Sequence, residues 1–294
     1  MENNSMYTTI IPELVSIDTN ITKIPGFYLS EKLHFYKKSQ KKSRFHYTIK
    51  RDNTITIPQI FDARSGYYLS HNSSWYYERR TPFGMLKFRY NMDKKEFYFN
   101  KLYSFIPIEI GNIFPAGRHI ANLIGLELFL SGFIIIRACA FSKDGITYLL
   151  IAPGLNGKTS IVNAAIQNKG NYVAEDLAVF DFSHKCIYPT SPKTNFGRTI
   201  NDSLLKTLDV KQTTQIKSKA NTIIFYQKSH TEVANTKTFL DYVFMNSLLF
   251  LSNPFIRSYI AENSLSNKIL RSMQKIQKTN LQSVSISSST YKLP

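Results

Sequence analysis

From Phe45 onward the chain alternates apolar and polar positions in short runs. "FHYTIKRDNTITI" holds two such runs about an Asp52-Asn53 turn. "SWYYERR", "MLKFRYNMDKKEFYFN" and "KLYSFIPIEI" continue the texture, punctuated by Pro82, Gly84 and Asp93. Period-two alternation rich in aromatic and β-branched residues predicts strands with one buried face, and "NMDKK" predicts a hairpin turn. The residues before Phe45 read as irregular, with a basic, polar loop "KKSQKKSR" over 37–44. The many Tyr and Phe side chains at strand positions are read as packing residues in preference to a base-stacking platform.

After Pro115 the pattern changes to alternating helices and strands. Helices are predicted over 118–130, 158–168, 238–251 and 264–278, and strands over 133–141, 147–151, 172–182 and 221–227. "HKCIYPTSPKTNFGR" reads as a turn-rich loop, and the Ser-rich tail "SVSISSSTYKLP" as a frayed end or a last edge strand. The segment "IANLIGLELFLSGFIII" (120–136) is the most apolar. It falls short of the roughly 20 apolar residues of a membrane span and carries Glu127, an acid costly at mid-bilayer. It therefore predicts a buried helix followed by a strand. The expected organisation is an aromatic-rich antiparallel β region over 1–115, which could recognise substrate, and an α/β domain over 116–294. The fold class is α/β (α+β), without internal repeats or coiled-coil heptads.

Composition adds direction. The chain has 294 residues, 43% of them apolar, enough for one large core or two modest ones. Its formal charge of +17 favours anionic partners, although a Lys-, Asn- and Ile-rich coding bias would leave the same basic surface. Cys139 and Cys186 lie in apolar surroundings without metal-ligand spacing, which predicts two buried thiols in a reduced, cytoplasmic setting. The six histidines form no cluster of zinc-site spacing. "MENNSMYTTIIPEL" lacks the basic and apolar regions of a signal peptide.

The chemistry concentrates in "YLLIAPGLNGKTSIVNAAI" (148–166), an apolar run, a Gly-containing loop and a helical pattern. A phosphate loop works because successive backbone N–H groups and a helix N-terminus point at an anion. Gly154 and Gly157 stand where a Cβ would obstruct that approach, while Ala152 replaces the first glycine of the common G-x-x-x-x-G-K-[ST] string. Gly154, Asn156, Gly157, Lys158, Thr159 and Ser160 form the expected nucleotide cradle. Lys158 would reach the β- and γ-phosphates, and the Thr159 hydroxyl would ligate Mg²⁺. Ile161, Val162, Ala165 and Ile166 follow at helical spacing. A second signal lies in "NYVAEDLAVFDF", where Glu175 and Asp176 interrupt an apolar strand pattern. Charges in such company need a partner or a metal. Asp176 could hold Mg²⁺ while Glu175 takes a proton from an attacking hydroxyl; the plainer alternative is a surface hairpin with two solvated acids.

The order "RACAFSKDGITYLLIAPGLNGKTSIVNAAIQNKGNYVAEDLAVFDF", then "CIYPTSPKTNFGR" and "ANTIIFYQKSH", resembles the catalytic domain of HPr kinase/phosphorylase-type serine kinases. That family shares its fold with phosphoenolpyruvate carboxykinase. The resemblance covers about 120–253 and is closest to divergent members found beside lasso-peptide or polysaccharide biosynthesis enzymes. It implies that Lys158 and Thr159 are the phosphate-loop pair, Glu175 the proton acceptor and Asp176 a metal ligand. It also implies that Arg198, in "NFGR", is a basic group near the phosphates. Ala152 and Leu155 stand where the family has glycines, Glu175 replaces an aspartate, and Arg137 stands where many members have a histidine near the transferred phosphate. An arginine there would stabilise transition-state charge. The HPr-docking segments have no counterpart, so HPr is not the implied substrate.

Three functions are expected, in order. The first is an ATP- and Mg²⁺-dependent kinase acting on a serine hydroxyl of a peptide or small protein, such as a lasso-type precursor, with a small-molecule or saccharide hydroxyl as the nearest variant. The second is a non-catalytic nucleotide-binding accessory protein. The third is a basic binder of nucleic acid or membrane surface in which the loop is accidental; nucleic acid is not expected among the partners. Self-association is compatible with all three.

Overall fold

The computed structural model describes residues 7–21, 24, 27, 38–57, 67–70, 74–105, 116–151, 158–191, 217–226, 235–247, 253–278, 281 and 285–289. It divides into two compact units, Met1–Asn122 and Leu123–Pro294.

In the first unit β1 (Thr8–Ile11), β2 (Val15–Thr19), β3 (Phe45–Arg51), β4 (Tyr67–Ser70), β5 (Ser74–Thr81), β6 (Gly84–Asn91) and β7 (Glu96–Phe99) form one sheet. Its order is β1-β2-β3-β7-β6-β5-β4. The alternation does its expected work: Phe45, Tyr47 and Ile49 are buried on β3, Leu86, Phe88 and Tyr90 on β6, and Phe97 and Phe99 on β7. The Tyr90 and Phe97 rings stack at 4.3 Å. The β6–β7 hairpin pairs Asn91 with Glu96, and Lys95 in its turn takes a φ of 54°.

Four expectations for this unit need correcting. The sheet is mixed, because β3 lies parallel to both β2 and β7; a connection longer than a hairpin precedes β3 and another follows it, so neither pairing is bound to be antiparallel. The chain before Phe45 contributes two strands, built on the β-branched runs "TTII" and "VSIDT". The second run of "FHYTIKRDNTITI" does not return as a strand. Asp52 Oδ1 accepts from the Thr54 amide at 2.8 Å and the Thr54 hydroxyl, closing a local turn in place of a ladder. Likewise "KLYSF" forms a 3-10 helix, Lys101–Phe105, whose Lys101 amide donates to Asn53 Oδ1 at 2.8 Å.

Helix α1 (Ala116–Leu130) carries the division between the units. Among the described residues no helix is long and apolar enough to cross a membrane. The second unit holds β8 (Phe133–Ile136), β9 (Ala138–Lys143), β10 (Ile146–Ile151), helix α2 (Lys158–Gln167), β11 (Asn171–Ala174), β12 (Ala178–Asp181), β13 (Cys186–Tyr188), β14 (Ser218–Lys219), β15 (Thr222–Tyr226), α3 (Thr236–Ser247), α4 (Pro254–Glu262), α5 (Ser266–Gln277) and β16 (Ser285–Ser289). Two sheets result, β11-β9-β10-β15-β16 and β14-β13-β12-β8. The chain is α+β in both composition and layout.

Helix α2 follows the predicted spacing. Val162, Ala165 and Ile166 pack on Cys139, Phe141, Leu150, Tyr172 and Ile224 of the five-stranded sheet. Its end is set by geometry. Gly170 N donates to Ala165 O at 2.8 Å and Lys169 N to Ile166 O at 3.1 Å, a Schellman closure with Lys169 at positive φ. A Cβ at Gly170 would lie 2.7 Å from the Ala165 carbonyl oxygen, so that position is closed to other residues.

The two long strands predicted over 133–141 and 172–182 are each broken in two. The first breaks at Arg137, between β8 and β9; the second at 175–177, between β11 and β12. β9 pairs with β11 and β8 with β12, both antiparallel, so one ribbon passes from the five-stranded sheet to the four-stranded sheet and breaks at the same level on both strands. Neighbouring charges that could not be buried in a continuous ladder explain the location of the break. The "CIYPT" segment, expected as loop, supplies β13 on β12. α4 was not expected; Asn253 followed by Pro254 is its N-terminal signal, with proline at the first helical position. β16 resolves the tail alternatives in favour of an edge strand, parallel to β15.

Candidate functional site

Four of the residues singled out on sequence grounds meet at the double strand break. Arg137 sits in the bend of one strand, Glu175 and Asp176 in the bend of the other, and Lys158 opens α2 just beyond β10. Arg137 Nε lies 3.5 Å from Asp176 Oδ1, with the guanidinium half-exposed. Lys158 retains only 8% of its surface and Glu175 only 3%. The plain alternative of two solvated acids on a surface hairpin does not hold for Glu175, which is buried.

Electrostatics tie these groups together. Burial holds the Lys158 amine below its ordinary pKa; the Asp176 charge opposes that shift, and Arg137 adds to it. Burial pushes the Cys139 thiol up to about 12, Lys158 opposes, and the Glu175 and Asp176 charges push it further up. Cys139 is therefore a neutral, packed thiol at the floor of a charged cluster. A buried lysine with a lowered pKa beside two carboxylates is the kind of environment in which functional sites are found.

The backbone around the break is held from two sides. Thr190 N donates to Val173 O at 3.1 Å, its hydroxyl donates to Leu177 O, and Tyr172 OH donates to Thr190 O at 2.9 Å. The segment after β13 thus straps β11 and the residue following the acidic pair. From the other side comes a residue that the sequence did not nominate. Tyr242, on α3, donates its phenol to the Arg137 carbonyl at 3.0 Å. Burial raises the Tyr242 pKa, the Arg137 charge lowers it, and the Asp176 charge raises it, so the phenol stands within the same field. α3 is aimed by its cap and its apolar face. Asn235 Oδ1 accepts from Thr238 N at 3.0 Å. Phe239, one turn before Tyr242, packs on Phe180, Phe182 and Phe225. Spacing of three on a helix was the available signal, but only the fold reveals which strand it faces.

The remaining nominated residues divide in two. Gly154, Asn156 and Gly157 lie outside the described residues, as does Arg198. Thr159 and Ser160 fall within the first turn of α2, where Ser160 is exposed. Of the two thiols expected to be buried, Cys139 is and Cys186 is only partly so.

The donor set can be tested against the metal expected from the sequence. Among the described residues no group of three or more His, Cys, Asp or Glu side chains could hold an ion by itself. Mg²⁺ does not need one, since it binds through one or two carboxylates and completes its shell with phosphate and water oxygens. A partly exposed Asp176 beside a buried Glu175, at the mouth of a helix N-terminus, fits that mode. A lysine and an arginine at the same place suit a polyphosphate. No family model and no curated protein matches the chain.

Proposed function

We propose that this chain is an ATP- and Mg²⁺-dependent kinase that phosphorylates a hydroxyl group, a serine of a peptide or small protein in the first instance. The single observation that carries the reading is the convergence of Lys158, Arg137, Glu175 and Asp176 on one double strand break at the start of α2. The resemblance of 120–253 to HPr kinase-type enzymes supports it, with a phosphoenolpyruvate carboxykinase-like core and a cytoplasmic setting as its implications.

In this reading the helix N-terminus and the Lys158 ammonium bind the β- and γ-phosphates. Arg137 spreads its charge over the transferred group. Asp176 and the Thr159 hydroxyl would hold Mg²⁺, which when bound neutralises phosphate charge. The acceptor oxygen bonds to the γ-phosphorus as the bond from that phosphorus to the bridging oxygen breaks, releasing ADP. The hydroxyl proton passes to the Glu175 carboxylate. Tyr242 positions Arg137 through the backbone carbonyl that it binds.

The Arg137–Asp176 contact also favours a second reading, an accessory protein that binds nucleotide without transfer, because the guanidinium engages the carboxylate needed for metal. Mass spectrometry separates the two. Purified protein is incubated with Mg-ATP and Ser-containing peptides encoded near its gene. A phosphopeptide that disappears with Lys158→Ala supports the kinase. Bound ATP without product moves the assignment to the accessory protein, and product retained by Lys158→Ala removes the loop from the reaction.

A further inference from the structure

We propose that the first unit carries a lipid-contacting tip, formed by the β5–β6 hairpin and the adjoining 3-10 helix, which docks on an anionic membrane surface. Phe83 is 87% exposed and Phe105 68%, the two most exposed large apolar side chains among the described residues, and Met85 beside them is 38% exposed. Their presentation is built in. The Thr81 hydroxyl donates to Gly84 O at 2.8 Å and accepts from Phe83 N at 3.2 Å, tying the turn from within. Gly84 takes a φ of 127°, a conformation that other residues rarely adopt. The turn therefore projects Phe83 outward instead of folding it back.

The 3-10 helix lies against this hairpin. Asn100 Nδ2 donates to Met85 O at 2.7 Å, and Lys87 N donates to Asn100 Oδ1 at 3.2 Å. Leu102 Cδ2 would be 3.6 Å from a Cβ on Gly84. The 3-10 helix that carries Phe105 thus starts against the Met85 end of this hairpin. Basic groups accompany both rings. Arg79 and Arg80 are exposed on β5, with Arg80 directly opposite Met85. Lys101 Nζ stands 6.0 Å from the Phe105 ring centroid. Among the described residues, Glu78 faces Lys87 at 4.0 Å and Asp52 faces Arg89 at 3.4 Å.

Shape decides the kind of partner. A stable protein interface takes about 800 Å² from each side, whereas a hairpin turn and a 3-10 turn bearing one exposed aromatic ring each offer a fraction of that. A narrow, convex tip needs no complementary groove when its partner is fluid. Aromatic residues with Lys and Arg beside them are the composition of interfacial anchors, and each basic residue near an anionic leaflet strengthens binding about fivefold.

The test is sedimentation with vesicles of phosphatidylcholine, with and without phosphatidylglycerol. Binding to the anionic vesicles alone is expected, weakening with added salt. Phe83→Ser with Phe105→Ser should reduce it about tenfold or more, and Arg80→Gln with Lys101→Gln by a similar factor. Lys268→Gln with Arg271→Gln, which removes equal charge from exposed positions on α5, should leave it unchanged. A Phe83→Trp variant should shift its emission to the blue on anionic vesicles. Because both phenylalanines are solvent-exposed, circular dichroism should be the same for all variants. Binding indifferent to the Phe substitutions, or lost equally with the α5 pair, would reduce the effect to bulk charge and overturn the proposal. Absence of vesicle binding would overturn it too and leave the tip to a protein partner.

Discussion

Charge is handled in two opposite ways in this molecule. On the seven-stranded sheet, charged residues in strands or at a strand end pair on the solvent side: Lys50 with Asp18 at 3.7 Å, Arg89 with Asp52, just past β3, at 3.4 Å, Lys87 with Glu78 at 4.0 Å. They alternate with buried Tyr47, Phe88 and Phe97 and keep contact with water. In the second unit Arg137, Glu175 and Asp176 stand where strands stop, and Lys158 where a helix starts. There the same residue types are gathered, with Lys158 and Glu175 buried and Arg137 and Asp176 keeping contact with water. Alternation disposes of charge cheaply; a break concentrates it. Concentrated charge costs folding free energy, which is why the cluster carries the proposed site.

The largest effect that would sharpen this contrast is kinetic. Glu175→Gln should lower phosphoryl transfer by about 10²- to 10⁴-fold, the usual worth of a positioned base, while nucleotide binding persists in an equilibrium titration. Equal loss of binding would make Glu175 a structural residue. Next in size, Phe97→Ala in the aromatic stack should cost about 3–5 kcal/mol in urea unfolding and leave the proposed nucleotide site of the other unit chemically intact.

Acid exposes a further difference. Burial, with a contribution from Arg118, lowers the His119 pKa to about 3. The unfolded chain takes up that proton near pH 6.5, the folded chain only near 3. Stability is complete above 6.5 and falls by about 1.4 kcal/mol per pH unit between these values. Urea titrations at neutral and acidic pH should show this slope, and His119→Leu should flatten it. The smallest effect belongs to the surface pairs. A double-mutant cycle on Arg89 and Asp52 should return about 0.2–1 kcal/mol, the range for partly exposed ion pairs. A much larger coupling would blur the distinction between sheet face and strand break.

Part of this arrangement was legible in the sequence because it is local. The strand before 152–157 and the helix that opens at Lys158 follow from an apolar run and helical spacing, all within about twenty residues. The buried faces of β3, β6 and β7 follow from alternation. What escaped is what depends on distance. Short apolar runs such as "FIIIRACAF" read as one strand, and only a second ribbon breaking at the same level shows that Arg137 ends one sheet and begins another. Thr8–Ile11 and Val15–Thr19 were missed because flanking turn residues outweighed their β-branched composition. Tyr242 could not be named, since its partner lies 105 residues away. The Lys158–Asp176 proximity was anticipated from an ordering of motifs, and the structure brings the two charges within mutual influence.

The most direct measurement is calorimetric titration of the protein with Mg-ATP, run beside Lys158→Ala and, as a charge-matched control on the sheet face, Lys50→Ala. Saturable binding that is lost in Lys158→Ala and unchanged in Lys50→Ala is the predicted result. Binding that is absent from the native chain, or that survives Lys158→Ala undiminished, would contradict a nucleotide site at the strand break.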